Sequence, residues 1–246
     1  MSTRANEQSG SDPGALFWES LRLVGGLAAG LTVMFMAQGL GFDPETMLLA
    51  QVAGGPIIMA VTGLVYWMTC ADSAAPEWGA SPEDPLAWPE NPRSLKDSLI
   101  AIATGTVGII IGSVVITKLI ELTGITVDEQ ESIVELTQPV DGAINPALYM
   151  LAPMALVAAP LLEEFVFRGL YFRRLLGKVG LVPALVSSAV AFAAIHGNAS
   201  GLPVYLLQAV IFAGVYRYTG RLSSAIAVHF LNNFITLAAL ASGIAN

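Results

Sequence analysis

Seven long runs of apolar residues leave this chain few ways to fold. They lie at about 15–40, 47–70, 97–121, 147–170, 181–196, 202–218 and 222–243. Runs of this length match what a helix needs to cross a hydrocarbon core about 30 Å thick. The expected fold is therefore all-α, a polytopic membrane helix bundle of about seven transmembrane helices, or eight if the short fifth run hides a break. Composition agrees: 54% of the 246 residues are hydrophobic, only 12% are charged, and the mean hydropathy is +0.67. A water-soluble domain of this size would need a more charged surface.

Residues 1–13 are polar and contain Gly and Ser, which predicts a disordered tail. They lack the basic region and cleavage site of a signal peptide. Residues 14–246 then form a single transmembrane domain, because no polar segment is long enough to build a second core. The stretch between the second and third runs is rich in proline and acid, and an acidic loop follows the third at about 122–146. Acidic, lysine-poor loops fit either ordinary loop solvation or adaptation to high salt. The net charge of −8 excludes the basic surface that nucleic-acid binding requires. The single cysteine, Cys70, excludes an internal disulfide and reads as apolar filling in a helix.

The basic residues Arg4, Arg22, Arg93, Lys96, Arg168, Arg173, Arg174, Lys178, Arg217 and Arg221 fall on one side if seven spans alternate. The positive-inside rule makes that side cytoplasmic, with the N-terminus inside a cell membrane and the C-terminus outside.

Ionisable groups within apolar runs are costly and mark function by default. Here they are Glu163, Glu164 and Arg168 in the fourth run, His196 at the end of the fifth, and His229 with Asn232 and Asn233 in the seventh. Both histidines of the chain are in this set. Glu164 and Arg168 are four apart in the favourable order for an ion pair, so Arg168 can neutralise Glu164. Glu163 lies about 100° round the helix and stays available for other work. His229 and Asn233 share a face as a donor pair, Asn232 is a less well aligned neighbour, and Phe192 stands one turn before His196. A carboxylate, an imidazole and a donor pair suit hydrolysis. Glu163 would take a proton from water, His196 would hold that water, and His229 with Asn233 would donate to the developing oxyanion. No serine or cysteine accompanies the histidines in a way that favours covalent catalysis.

These residues stand as EEFVFR (Glu163–Arg168), FAAIH (Phe192–His196) and HFLNN (His229–Asn233). In that order they resemble the EExxxR, FxxxH and HxxxN motifs of the CPBP family, membrane proteins related to CAAX prenyl endopeptidases and bacteriocin-processing enzymes. The resemblance covers roughly residues 145–245. It implies a glutamate-dependent intramembrane endopeptidase with no cofactor and no catalytic metal. Glu163 and His196 would activate water, His229 and Asn233 would form the oxyanion hole, and Glu164 and Arg168 would support them. Its partners would be the lipid bilayer and a membrane-associated protein or peptide substrate.

Other readings stay open. The family includes members with no demonstrated proteolysis, so a scaffold or immunity-type membrane protein is one alternative. A zinc-dependent metalloprotease with Glu163, His196 and His229 as ligands is another, although HExxH is absent. A Glu/His proton relay in a transporter is a third. Hydropathy also sets a difficulty. The simplest span edges put Glu163 near the inner end of the fourth run and His196 near the outer end of the fifth. One long helix over 147–178, followed by a buried break at 197–202, would bring them level. Glu19 and Gln208 receive no role.

Overall fold

The computed structural model describes residues 13–38, 44–70, 91–127, 131–138 and 145–242. The polar tail (apart from Pro13), most of the proline-rich stretch and parts of the acidic loop lie outside them. The described residues form helices α1 (Pro13–Gln38), α2 (Pro44–Cys70), α3 (Leu95–Glu121), α4 (Glu131–Thr137), α5 (Ala147–Val179), α6 (Leu181–Ala194), α7 (Leu202–Thr219) and α8 (Leu222–Ala241). No strand occurs among them. This is an all-α membrane bundle, and each of the seven apolar runs is one of its helices.

Five of the helices, α1, α2, α3, α5 and α8, are long and apolar enough to cross a membrane. The other two of the seven expected runs, α6 and α7, are helices that fall short of that measure. Helix α6 has 14 residues, about 21 Å of rise, and α7 carries Gln208 and Arg217 within its 18 residues. The expected acidic loop at 122–146 is not all loop, because it contains α4. Ile133 and Leu136 of α4, three residues apart, pack against the cluster of Val52, Leu151 and Leu237.

Small residues let the helices close on one another where a lipid-like interior offers little other drive. A Cβ on Gly26 or Gly30 of α1 would come within 2.9 and 2.8 Å of the carbonyl oxygens of Thr62 and Ile58 on α2. On α3, Gly105 and Gly112 face the side chains of Val215 and Leu207 of α7. The opposite face of α3, including Leu99, Val107, Ile111 and Val114, is exposed and apolar, as a lipid-facing surface must be. Between these layers lies an aromatic core of Tyr66, Phe167, Tyr171, Phe172, Phe192 and Phe212.

The site is set by α5. It runs well past the expected end at 170, because Arg173, Arg174 and Lys178 continue the helix rather than end it, and Gly180 stops it with φ 82°. Glu163 is thereby the seventeenth of 33 residues, the midpoint of the helix. From Glu163 to Val179 is 16 residues, about 24 Å; from Leu181 to His196 is 15 residues, about 22 Å. The two helices meet at Gly180 and run antiparallel, so these equal lengths bring Glu163 and His196 to one level. The segment 195–201 is a turn between α6 and α7, with Gly197 at φ 63°.

Two stretches of α5, Met154–Ala158 and Phe165–Phe172, are π-helical. Pro160 explains the consequence of the first. In this register the Ala159 N–H bonds to the Met154 carbonyl, so the carbonyl of Ala155 should receive the N–H of residue 160, which proline lacks. The Ala155 oxygen is filled instead by Asn233 Nδ2 at 2.8 Å. A gap in the backbone ladder of α5 thus fixes the side chain of Asn233 on α8.

Candidate functional site

Glu164 and Arg168 are both fully buried, and Arg168 NH1 donates to Glu164 Oε1 at 3.0 Å. Arg168 NH2 donates to the carbonyl of Ala209 on α7 at 3.2 Å, and the guanidinium lies 4.4 Å from the Phe192 ring centroid and 5.1 Å from that of Phe212. Two hydrogen bonds and two aromatic faces hold a cation that hydrocarbon alone would not tolerate.

The same Glu164 oxygen receives His229 Nδ1 at 3.0 Å. A carboxylate already bound to a guanidinium is an acceptor, so Nδ1 carries the proton. The His229 ring stacks on Phe212 at 4.7 Å. Its orientation is therefore set by Glu164 and Phe212, and its Nε2 is the nitrogen left for other partners.

His196 Nδ1 donates to the carbonyl of Phe192 at 2.8 Å, which leaves Nε2 as the basic nitrogen of the neutral ring. The ring is held between Phe192, 4.8 Å away, and Tyr205 of α7, stacked at 4.1 Å. Asn233 is fixed at both ends of its amide: Nδ2 donates to Ala155, and Oδ1 accepts from Asn232 Nδ2 at 3.2 Å. The second N–H of Asn233 is left over by this count.

Glu163 differs from its neighbour. Its Oε2 is buried and makes no hydrogen bond with the protein, and its side chain lines a cavity of about 1350 Å³. His196, His229, Asn232 and Asn233 line the same cavity. The structure thus brings together the residues singled out in three separate helices, with Glu164, Arg168 and Phe192 packed behind them. Among the described residues, no three His, Cys, Asp or Glu side chains are grouped so as to hold a metal ion.

Residues 145–235 match the family model described as type II CAAX prenyl endopeptidase Rce1-like. That segment carries all three motifs, and the match supports CPBP family membership for it. A curated relative, the membrane-embedded CAAX protease MroQ of Staphylococcus aureus (strain USA300), is 36% identical over 83 residues, covering 31% of this chain. The match spans about a third of that relative's length (34%). No solved structure matches the chain significantly. The family-model match begins at the start of α5 and ends in α8, so α1, α2 and α3, which supply part of the cavity wall, lie outside it.

Sequence reasoning missed several groups. Tyr205, which stacks on His196, stands in α7 with no spacing signal to connect it. Ser113 and Thr117 of α3 also line the cavity, as does Gln208. Glu19, given no role, is a fully buried junction. It accepts from Tyr66 at 2.5 Å and Arg22 at 2.9 Å, pairs with Lys178, and lies 3.6 Å from Arg174. The signal for Glu19 was a carboxylate in an apolar run, as for Glu163, but Arg174 and Lys178 lie more than 150 residues away.

Proposed function

We propose that this protein is an intramembrane endopeptidase of the glutamic type, acting on a membrane-associated peptide segment. The observation that carries the reading is the convergence of Glu163, His196, His229 and Asn233 on one cavity. In the proposed reaction, Glu163 takes a proton from a water held with His196 Nε2 while the water oxygen bonds to the scissile carbonyl carbon. The carbonyl π electrons move to oxygen, and the oxyanion accepts hydrogen bonds from His229 Nε2 and the remaining Asn233 N–H. Donation from Nε2 requires His229 to carry protons on both ring nitrogens, with Glu164 facing the charged ring. Collapse of the tetrahedral carbon breaks the C–N bond, and Glu163 returns its proton to the leaving amine.

The reading requires no metal. Both histidines commit Nδ1 to protein oxygens, and sensitivity to chelators is the measurement that separates this reading from one with zinc on Nε2. It also makes residues 14–246 one working unit, since α1–α3 complete the cavity that the motif helices open. The basic ends of α5, α6, α7 and α8 are proposed to face the cytoplasm of a cell membrane.

Replacing Glu163 by Gln keeps the volume and removes the base. Cleavage of membrane-protein substrates by the purified chain is expected to fall by a factor of about 10²–10⁴ with thermal stability unchanged. Full activity in that variant, or activity abolished by chelators in the native chain, rejects the glutamic mechanism. A folded native chain that cleaves nothing points instead to a scaffold or immunity-type role.

A further inference from the structure

The cavity holds polar groups that the proposed chemistry does not use. On α3, Thr104 and Thr106 turn their hydroxyls back onto the carbonyls of Ile100 and Ile102, as hydroxyls in apolar helices usually do. Ser113 on the same helix does not: its Oγ is buried and makes no hydrogen bond with the protein. Thr117, one turn later on the same face, and Gln208 of α7 line the cavity with it. The two helices pack closely at this level, where Gly112 of α3 sits directly against Leu207 of α7, the residues next to Ser113 and Gln208. Apolar side chains of α1 and α2, among them Leu27, Leu31, Ile58 and Met59, line the same space.

A polar stripe facing apolar side chains across the same cavity suits a ligand that is apolar in its side chains and polar along its backbone. A continuous helix is not such a ligand, because its N–H and C=O groups bond to one another. An unwound peptide segment is one. Its backbone groups need partners wherever water is scarce, because a buried N–H or C=O left unpaired is costly. A Gln amide supplies a donor and an acceptor to one extended strand, and each hydroxyl supplies both.

We propose that Ser113, Thr117 and Gln208 form a backbone-binding subsite that holds an extended, helix-broken segment of the substrate in the same cavity as Glu163. This rests on the peptidase reading for its purpose, but its binding test does not. In it, the full chain in detergent, carrying Glu163→Gln, is titrated with two fluorescent Leu/Ala peptides of about 20 residues. One is an uninterrupted helix; the other has a central Gly-Pro break. The broken peptide is expected to bind about tenfold more tightly. In Gln208→Met, and separately in Ser113→Ala with Thr117→Val, the preference should fall below about twofold while thermal stability and binding of the unbroken peptide stay constant.

Equal binding of the two peptides, or an undiminished preference in both variants, overturns the subsite. Cleavage by the chain with Glu163 intact separates the two proposals. Selective binding of the broken peptide without any cleavage defeats the peptidase reading and leaves the subsite standing. Cleavage of the broken peptide whose KM is unmoved by Gln208→Met defeats the subsite alone; the subsite requires a raised KM at constant kcat.

Discussion

Two buried carboxylates, Glu19 on α1 and Glu164 on α5, solve the same problem in different ways. Each is fully buried and paired with cations. Glu19 gathers Arg22, Arg174 and Lys178 at the end of the bundle, and these cations keep 14–28% of their side-chain surface exposed. Glu164 binds one guanidinium that is wholly buried and one imidazole that is nearly so. At the edge, long side chains can leave their charge partly solvated while the carboxylate ties α1 to α2 and α5. At depth no water compensates, so geometry must: one oxygen, two donors, two aromatic faces. The first arrangement staples helices. The second holds His229 in a fixed orientation and leaves the adjacent Glu163 Oε2 without a hydrogen bond from the protein.

The largest expected effect comes from breaking the deep pair. Arg168→Met leaves Glu164 buried without its cation and should cost about 3–5 kcal/mol of stability. Thermal unfolding in detergent measures it, and the double variant Arg168→Met/Glu164→Gln should recover much of the loss. A double variant no more stable than the single one would show that the charge is not what matters. The edge cluster should be more forgiving. Glu19→Gln is expected to cost about 1–3 kcal/mol, because its three cations can turn to solvent. Added salt should narrow the difference from the native chain, which it should not do for Arg168→Met. Smallest is Tyr66→Phe, which removes one hydrogen bond to Glu19 and should cost about 1 kcal/mol. A loss equal to that of Glu19→Gln would mean that Tyr66, not the cations, anchors the edge.

Much of this site was readable from spacing. Glu164 and Arg168 four residues apart predict the ion pair that is found. The level of Glu163 and His196 was readable too, once Gly180 is taken as the turn and residues are counted outward in both directions. Hydropathy obscured it, because Arg173, Arg174 and Lys178 look like the end of a span when they are the last turns of a longer helix. The role of α4 was hidden by its acids, although Ile133 and Leu136 carry the helical spacing. Other contacts had no local signal. Nothing near residue 233 shows that Pro160 leaves the Ala155 carbonyl open, and nothing near residue 19 names Lys178.

The sequence by itself determined that the chain is a membrane bundle of helices, since length and apolarity suffice for that. It also marked which side chains are too costly to be accidental there. Only the tertiary structure decided what each costly residue does. Two adjacent glutamates have the same intrinsic chemistry, yet Glu164 meets Arg168 and His229 while Glu163 meets an open cavity. That difference depends on which helix lies opposite each carboxylate, and helix packing is set by contacts between residues far apart in the chain.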